Sequence, residues 1–177
     1  MKKTITILCI ILTFFLIYFL QANFFTWFNI NGIMPNLYVI LVLFIGLFMK
    51  RKLGMTFGVL FGLYIDIVLG KNVGISALTL GVIGMIGEIL SKNFSKDSRF
   101  IVTFMVIITT ILYEVSVYLL TILRTEGTLE LVAFFKILMV EVLFNTLITI
   151  IIYPIIKKAG YYVENLFDDK FILTRYF

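Results

Sequence analysis

Six apolar runs set the strongest limit on what this chain can fold into. By residue number they are 4–20, 34–49, 53–69, 74–90, 100–123 and 131–156. A helix that crosses a bilayer needs about 20 mostly apolar residues, and shorter runs fit where the bilayer thins or where protein surrounds them. The runs therefore predict an all-α polytopic membrane protein with six transmembrane helices in one domain, 1–156, followed by a cytoplasmic amphipathic tail, 157–177.

The composition excludes several classes of function. The chain has 177 residues, of which 62% are hydrophobic and 14% charged, with no histidine and one cysteine, Cys9. No polar segment is long enough to form a soluble core. Catalysis that depends on histidine and metal binding by Cys and His clusters are both ruled out by residue type. We therefore expect no enzymatic activity, no metal and no cofactor.

The basic residues predict an orientation. If the N-terminus lies inside, 12 of the 15 lysines and arginines fall in cytoplasmic segments. These are Lys2, Lys3, Lys50, Arg51, Lys52, Lys92, Lys96, Arg99, Lys157, Lys158, Lys170 and Arg175. Cytoplasmic loops carry an excess of positive charge, so both termini are predicted to be cytoplasmic, and the net charge of +5 reflects topology rather than nucleic-acid binding. The first run resembles a signal peptide, but no small-x-small cleavage site follows it, so we expect it to be retained.

Glycines four residues apart predict close helix packing. The series is Gly54, Gly58, Gly62, Asp66, Gly70 and Gly74. A second seam of small residues runs through Gly74, Ala77, Gly81 and Gly84. In lipid, small residues let two helix backbones approach closely. The two faces are expected either to pack against each other or to receive two different helices.

Five polar residues inside the runs are candidates for buried roles. By helical rise, Glu114 and Glu141 both lie about 15 Å below the outer surface, and Asn145 follows Glu141 by one turn. Two explanations stay open for the glutamates: hydrogen bonds between helices with one or both protonated, or a proton or substrate site. Asp66 and Lys136 share a depth nearer the outer boundary, which predicts that they form an ion pair.

The tail, 157–177, mixes aromatic and charged residues. Such a segment is expected to lie on the inner leaflet as an interfacial helix, or to dock on a cytoplasmic partner.

Most of the sequence resembles the MreD family of rod-shape-determining membrane proteins. The motifs are Met34-Pro35-Asn36-Leu37, then Gly54-x3-Gly58-x3-Gly62-Leu63-x2-Asp66 after a basic turn, then Gly70-x3-Gly74. Asn145 and Tyr153-Pro154 are similar to the family's C-terminal half. The resemblance is most specific over 35–74, with Pro35, Asn36 and Gly70 as motif residues. Asn36 departs from the family, which often has Asp there.

The resemblance implies a function that the residues alone do not show. It implies a non-catalytic scaffold of the cell-elongation machinery in the bacterial cytoplasmic membrane. The scaffold would bind MreC, act indirectly with MreB, RodA and a penicillin-binding transpeptidase, and help to direct side-wall peptidoglycan synthesis and rod shape. A homodimer within the lipid bilayer is left open. The family's fold is also similar to the substrate-binding subunits of energy-coupling-factor transporters, so the alternative is a subunit that binds a vitamin.

Overall fold

A computed structural model of the protein describes residues 2–49, 52–70, 73–125 and 128–167. It contains the helices α1 (Lys2–Phe19), α2 (Leu37–Phe48), α3 (Leu53–Leu69), α4 (Ile75–Asn93), α5 (Arg99–Thr125) and α6 (Leu131–Phe167), and a π-helical turn, Leu20–Phe24, extends α1. The predicted all-α class is confirmed. Within the described ranges four helices, α1 with its π turn, α4, α5 and α6, are long and apolar enough to cross a membrane. α2 and α3 are apolar but shorter, so the count of six spans stays a prediction.

The shortest helix, α2, is the centre of the bundle. It has 12 residues, nearly all of them buried, and it contacts each of the other five helices. At 1.5 Å per residue it is about 18 Å long, well below the roughly 30 Å of a bilayer core. Because protein surrounds it on all sides, α2 does not need the length that a lipid-exposed helix needs. It begins at Leu37, three residues later than the apolar run, because Asn36 caps it.

α6 has an inward face that is more polar than its outward face. Its buried residues are Leu138, Glu141, Asn145, Thr149, Tyr153 and Gly160. Its exposed large side chains include Val132, Met139, Leu143, Leu147, Ile151 and Ile155. Both sets step mainly by four residues, so each follows one side of the helix. Hydrophobic side chains facing outward and polar ones facing other helices are what lipid surroundings require.

α6 does not end at the predicted boundary after residue 156. It continues to Phe167, where Gly160 packs against the ring of Phe48 and Glu164 pairs with Lys96 at 2.6 Å. The first part of the expected tail is therefore a continuation of α6 packed on the bundle, and it is not a separate interfacial helix. Residues 168–177, the rest of that tail, lie outside the described residues.

One end of the bundle is rich in lysine and arginine, and we call it the basic end. α1, α3 and α5 begin there, α2 and α4 end there, and it carries Lys2, Lys52, Lys92, Lys96, Arg99, Lys157 and Lys158. The loop between α4 and α5 is held to α6 at this end: the Tyr153 hydroxyl lies 2.8 and 2.7 Å from the carbonyl oxygens of Lys96 and Asp97. Lys157 pairs with the Asp97 carboxylate at 2.9 Å, and its hydrogen bond lowers the pKa of that carboxyl.

Candidate functional site

Glycines join α2, α3 and α4 at backbone-to-backbone distance. A Cβ atom built on Gly54 would lie 2.7 Å from the carbonyl oxygen of Gly84, and one built on Gly58 would lie 2.7 Å from the carbonyl carbon of Leu80. One built on Gly62 would lie 2.5 Å from the amide nitrogen of Ala77. These distances leave no room for any side chain. The glycine faces of α3 and α4 therefore pack against each other, which is one of the two arrangements that the sequence predicts.

The helix α2 joins the same contact through a glycine that the four-residue series does not contain. A Cβ built on Gly46 would lie 3.0 Å from the Cα of Gly87, and one built on Gly87 would lie 2.7 Å from the carbonyl oxygen of Leu43. Gly46 stands alone in its apolar run, so it gave no periodic signal. Gly87 follows Gly84 by three residues and was detectable as an extension of the α4 seam.

Three glycines of the two predicted series have other surroundings. Gly74 has φ of +103° and precedes α4, and nothing lies within 4 Å of a Cβ built on it. The prediction that Gly74 packs against another helix is therefore wrong: this glycine permits the left-handed backbone of the turn. Gly70 is similar, with φ of +61° at the end of α3. A Cβ on Gly81 would meet the side chain of Val59 at 2.7 Å rather than a helix backbone.

Asp66, near the end of α3, caps the N-terminus of α4. Its side chain is 3% exposed and accepts hydrogen bonds from the backbone amides of Gly74 at 2.8 Å, Ser76 at 3.2 Å and Ala77 at 3.2 Å. A helix N-terminus has unpaired amide donors and partial positive charge, so a carboxylate there needs no basic side chain. The predicted Asp66–Lys136 ion pair is therefore wrong. Lys136 is exposed on α6 and has no ion pair among the described residues, so it is not a buried polar residue.

The Pro35-Asn36 motif ties the start of α2 to three other helices. The backbone amide of Asn36 donates to Asn145 Oδ1 at 2.8 Å. Asn36 Oδ1 accepts from the backbone amide of Val39 at 3.4 Å and so caps α2. Asn145 is fully buried and its side-chain amide donates to Thr110 on α5 at 3.1 Å. Gln21, in the π turn after α1, donates to the carbonyl oxygen of Pro35 at 3.1 Å.

Glu114 and Glu141 lie close together between α5 and α6. Their carboxyl groups are neighbours of each other and of the side chain of Asn36. Glu141 is 6% exposed, and its Oε1 atom has no hydrogen-bond partner among the described residues. A proton carried by Glu114 would supply a donor, because a protonated carboxyl has an O–H group.

Tyr113 completes this buried polar cluster, which consists of Asn36, Thr110, Tyr113, Glu114, Glu141 and Asn145. Its side chain lies near those of Asn36 and Ser76, and Ser76 is at the N-terminus of α4, which Asp66 caps. No group of three or more histidine, cysteine, aspartate or glutamate side chains in the described ranges has the arrangement of a metal site. The cluster's hydrogen bonds join the start of α2 to α6 and, through Asn145, to α5. Tyr113 and Ser76 were missed because each resembles an ordinary polar residue in an apolar run.

Comparison with known proteins identifies the family. The family model for MreD, described as rod shape-determining protein MreD, matches residues 1–161. No curated protein matches the chain. No solved structure matches it either, so the expected likeness to transporter subunits stays a prediction. The matched region contains the glycine contact, the Asp66 cap and the buried polar cluster. The chain belongs to the MreD family and is a multi-pass, rod shape-determining membrane protein.

Proposed function

We propose that the protein is a non-catalytic membrane scaffold of the cell-elongation machinery that binds MreC. Through MreC it would act with MreB, RodA and a penicillin-binding transpeptidase to direct side-wall peptidoglycan synthesis. The observation that carries this proposal is the family match over 1–161.

The contacts in the bundle support a scaffold role. A scaffold must present a fixed surface, and two kinds of contact fix this one. The glycines of α2, α3 and α4 bring the backbones together, and the buried polar cluster joins the start of α2 to α5 and α6. Polar groups that are engaged with each other in this way specify one helix arrangement.

The exposed faces of the bundle support binding from helix to helix. Large apolar side chains are exposed along α5, including Phe100, Phe104, Ile108, Ile111, Leu119 and Leu123. Transmembrane helices associate by close van der Waals packing and hydrogen bonds. We therefore expect the membrane-spanning segment of MreC to bind within the bilayer, and this contact to depend little on exposed ion pairs.

The alternative function is a vitamin-binding subunit of an energy-coupling-factor transporter. Such a protein needs polar groups that converge on an open cavity and await a ligand. Here the side chains of Asn36, Asn145 and Thr110 are already hydrogen-bonded to protein groups, so they are less suited to holding a solute. No specific observation favours this alternative.

The test is co-purification of MreC with the tagged full-length protein from membranes solubilised in mild detergent. We expect MreC to remain bound at 0.15 M and at 1 M NaCl, because about 1 M salt screens exposed charges beyond roughly 3 Å. An unrelated polytopic membrane protein with the same tag is the control. Loss of MreC at high salt would contradict binding through apolar helix faces. Recovery of a vitamin and an energy-coupling transmembrane partner in place of MreC would establish the alternative.

A further inference from the structure

A cleft between α1 and α6 opens at the basic end. Its cavity of about 840 Å³ lies between the first three turns of α1 and the part of α6 that follows Pro154. Ile5 and Cys9 line it from α1, and Pro154 and Tyr162 line it from α6. Lys2 and Lys158 also line this cleft, one from each helix.

The cleft continues into a second, apolar cavity. This cavity of about 540 Å³ lies between α1, α2 and α6. The two cavities share the α6 residues Ile155, Ala159 and Val163 as lining. One side of α1 and of the π turn that extends it lines the two cavities. The residues on that side are Lys2, Cys9, Thr13, Leu16 and Leu20. The combined groove therefore follows α1 for about 27 Å from the basic end.

The shape of the groove suits acyl chains better than a helix. A helix is about 10 Å across with its side chains, so a 27 Å length would occupy roughly 2,100 Å³, more than the two cavities together. A flexible hydrocarbon chain is thinner and can follow a narrow apolar groove. Volumes between about 300 and 1,000 Å³ are typical of small-molecule sites, and both cavities fall within that range.

The positive charge at the open end of the groove favours a lipid with an anionic head group. Lys2 and Lys158 are both exposed, and neither forms an ion pair with an acidic residue in the described part of the chain. Two acids at the basic end are engaged elsewhere: Asp97 pairs with Lys157 and Glu164 pairs with Lys96. Two ammonium groups at the rim of an apolar groove match a phosphate at the top of hydrocarbon chains.

We propose that the cleft between α1 and α6 binds an anionic glycerophospholipid from the leaflet that faces the basic end. Lys2 and Lys158 hold its phosphate, and its acyl chains lie against Ile155, Ala159 and Val163. This site goes beyond the proposed function and does not depend on MreC binding. The lipid fills the space between α1 and the rest of the bundle, where α1 has only Thr6 and Phe14 buried.

The test is native mass spectrometry of the purified full-length protein after exchange into an equimolar mixture of phosphatidylglycerol and phosphatidylcholine. We expect retained phosphatidylglycerol at a stoichiometry of one. Lys2→Gln with Lys158→Gln should weaken its retention roughly tenfold to thirtyfold, since each basic side chain near an anionic surface contributes measurably to binding. The matched control, Lys92→Gln with Lys136→Gln, removes the same charge away from the cleft and should retain the lipid.

A second variant tests the groove without changing charge. Ala159→Trp places a large side chain on the wall that both cavities share, and because Ala159 is exposed the change should leave the fold intact. Its normal elution on size exclusion would verify that, and its loss of bound phosphatidylglycerol would support the site. Equal retention of the two lipids, or retention unaffected by the lysine and tryptophan changes, would overturn the proposal. Retention of a polyprenyl phosphate in preference to phosphatidylglycerol, when the two are offered together, would overturn the assignment of the ligand.

Discussion

At the scale of single residues, Asn36 has a neutral side chain beside two carboxyl groups. Its side chain caps α2 and is a neighbour of Glu114, Glu141 and Tyr113. An aspartate here would be a third carboxyl group beside two others, in surroundings that disfavour charge. The neutral amide keeps the cap and can donate to either glutamate. A neutral residue at this position thus fits the two acids that lie beside it.

This arrangement predicts that Asn36→Asp destabilises the protein. We expect a loss of roughly 2–3 kcal/mol, the order of cost of a charged side chain inside a membrane helix. The measurement is the thermal midpoint in detergent, followed by size exclusion. Adding Glu141→Gln removes one of the neighbouring carboxyls and should restore much of the loss. If the double variant is as unstable as the sum of the two single variants, the residues do not interact.

The Glu114–Glu141 contact makes a second prediction at this scale. Glu141→Gln keeps a hydrogen-bonding group that can donate to Glu114, so its thermal midpoint should stay near that of the unchanged protein. Glu141→Ala leaves Glu114 without its partner and opens a space, and should cost about 1–3 kcal/mol. A Gln variant that is as damaged as the Ala variant would indicate that the carboxyl group itself is required, as in a proton or substrate site.

At the scale of helices, the sequence predicted which helices form better than it predicted how long they are or what they contact. α3 has the predicted bounds, Leu53–Leu69, because a basic turn and Gly70 mark its two ends. α6 runs past its apolar stretch because Gly160 and Glu164 find partners on α2 and in the α4–α5 loop, which periodicity cannot show. Asp66 was assigned to Lys136 by depth alone. The hydrogen bond that Asp66 accepts from the amide of Gly74, eight residues later, depends on how the turn between α3 and α4 closes.

The contact between α3 and α4 predicts that Gly58→Leu prevents normal assembly. A leucine side chain would meet the backbone of Leu80, so the helices must separate. Overpacking of this kind commonly costs about 1–3 kcal/mol or more, and we expect a marked fall in protein level in the membrane and loss of rod shape. Gly81→Ala is the control, because its Cβ meets the side chain of Val59 rather than backbone, and its effect should be smaller. Normal levels and rod shape with Gly58→Leu would show that the close contact is dispensable.

At the scale of the whole molecule, the basic end should face the cytoplasm. It carries Lys52 after α2 and Lys96 after α4, and the positive-inside rule places loops with such charges on that side. The sole cysteine, Cys9, allows a direct measurement: in a Cys9→Ser background, single cysteines replace Asn29, Thr128 or Ser95, all exposed. Asn29 and Thr128 lie in the loops after α1 and α5, at the end opposite to Ser95.

A membrane-impermeant maleimide added to spheroplasts should label the cysteines at positions 29 and 128 and leave the one at position 95 unlabelled until the membrane is permeabilised. The permeabilised sample shows that all three sites can react. Labelling of position 95 alone in intact spheroplasts would mean the opposite orientation, with Lys2 and Lys158 facing outward. The phospholipid proposed for the cleft would then come from the outer leaflet. The accessibility of one loop cysteine thus fixes both the orientation of the bundle and the leaflet from which its lipid site is filled.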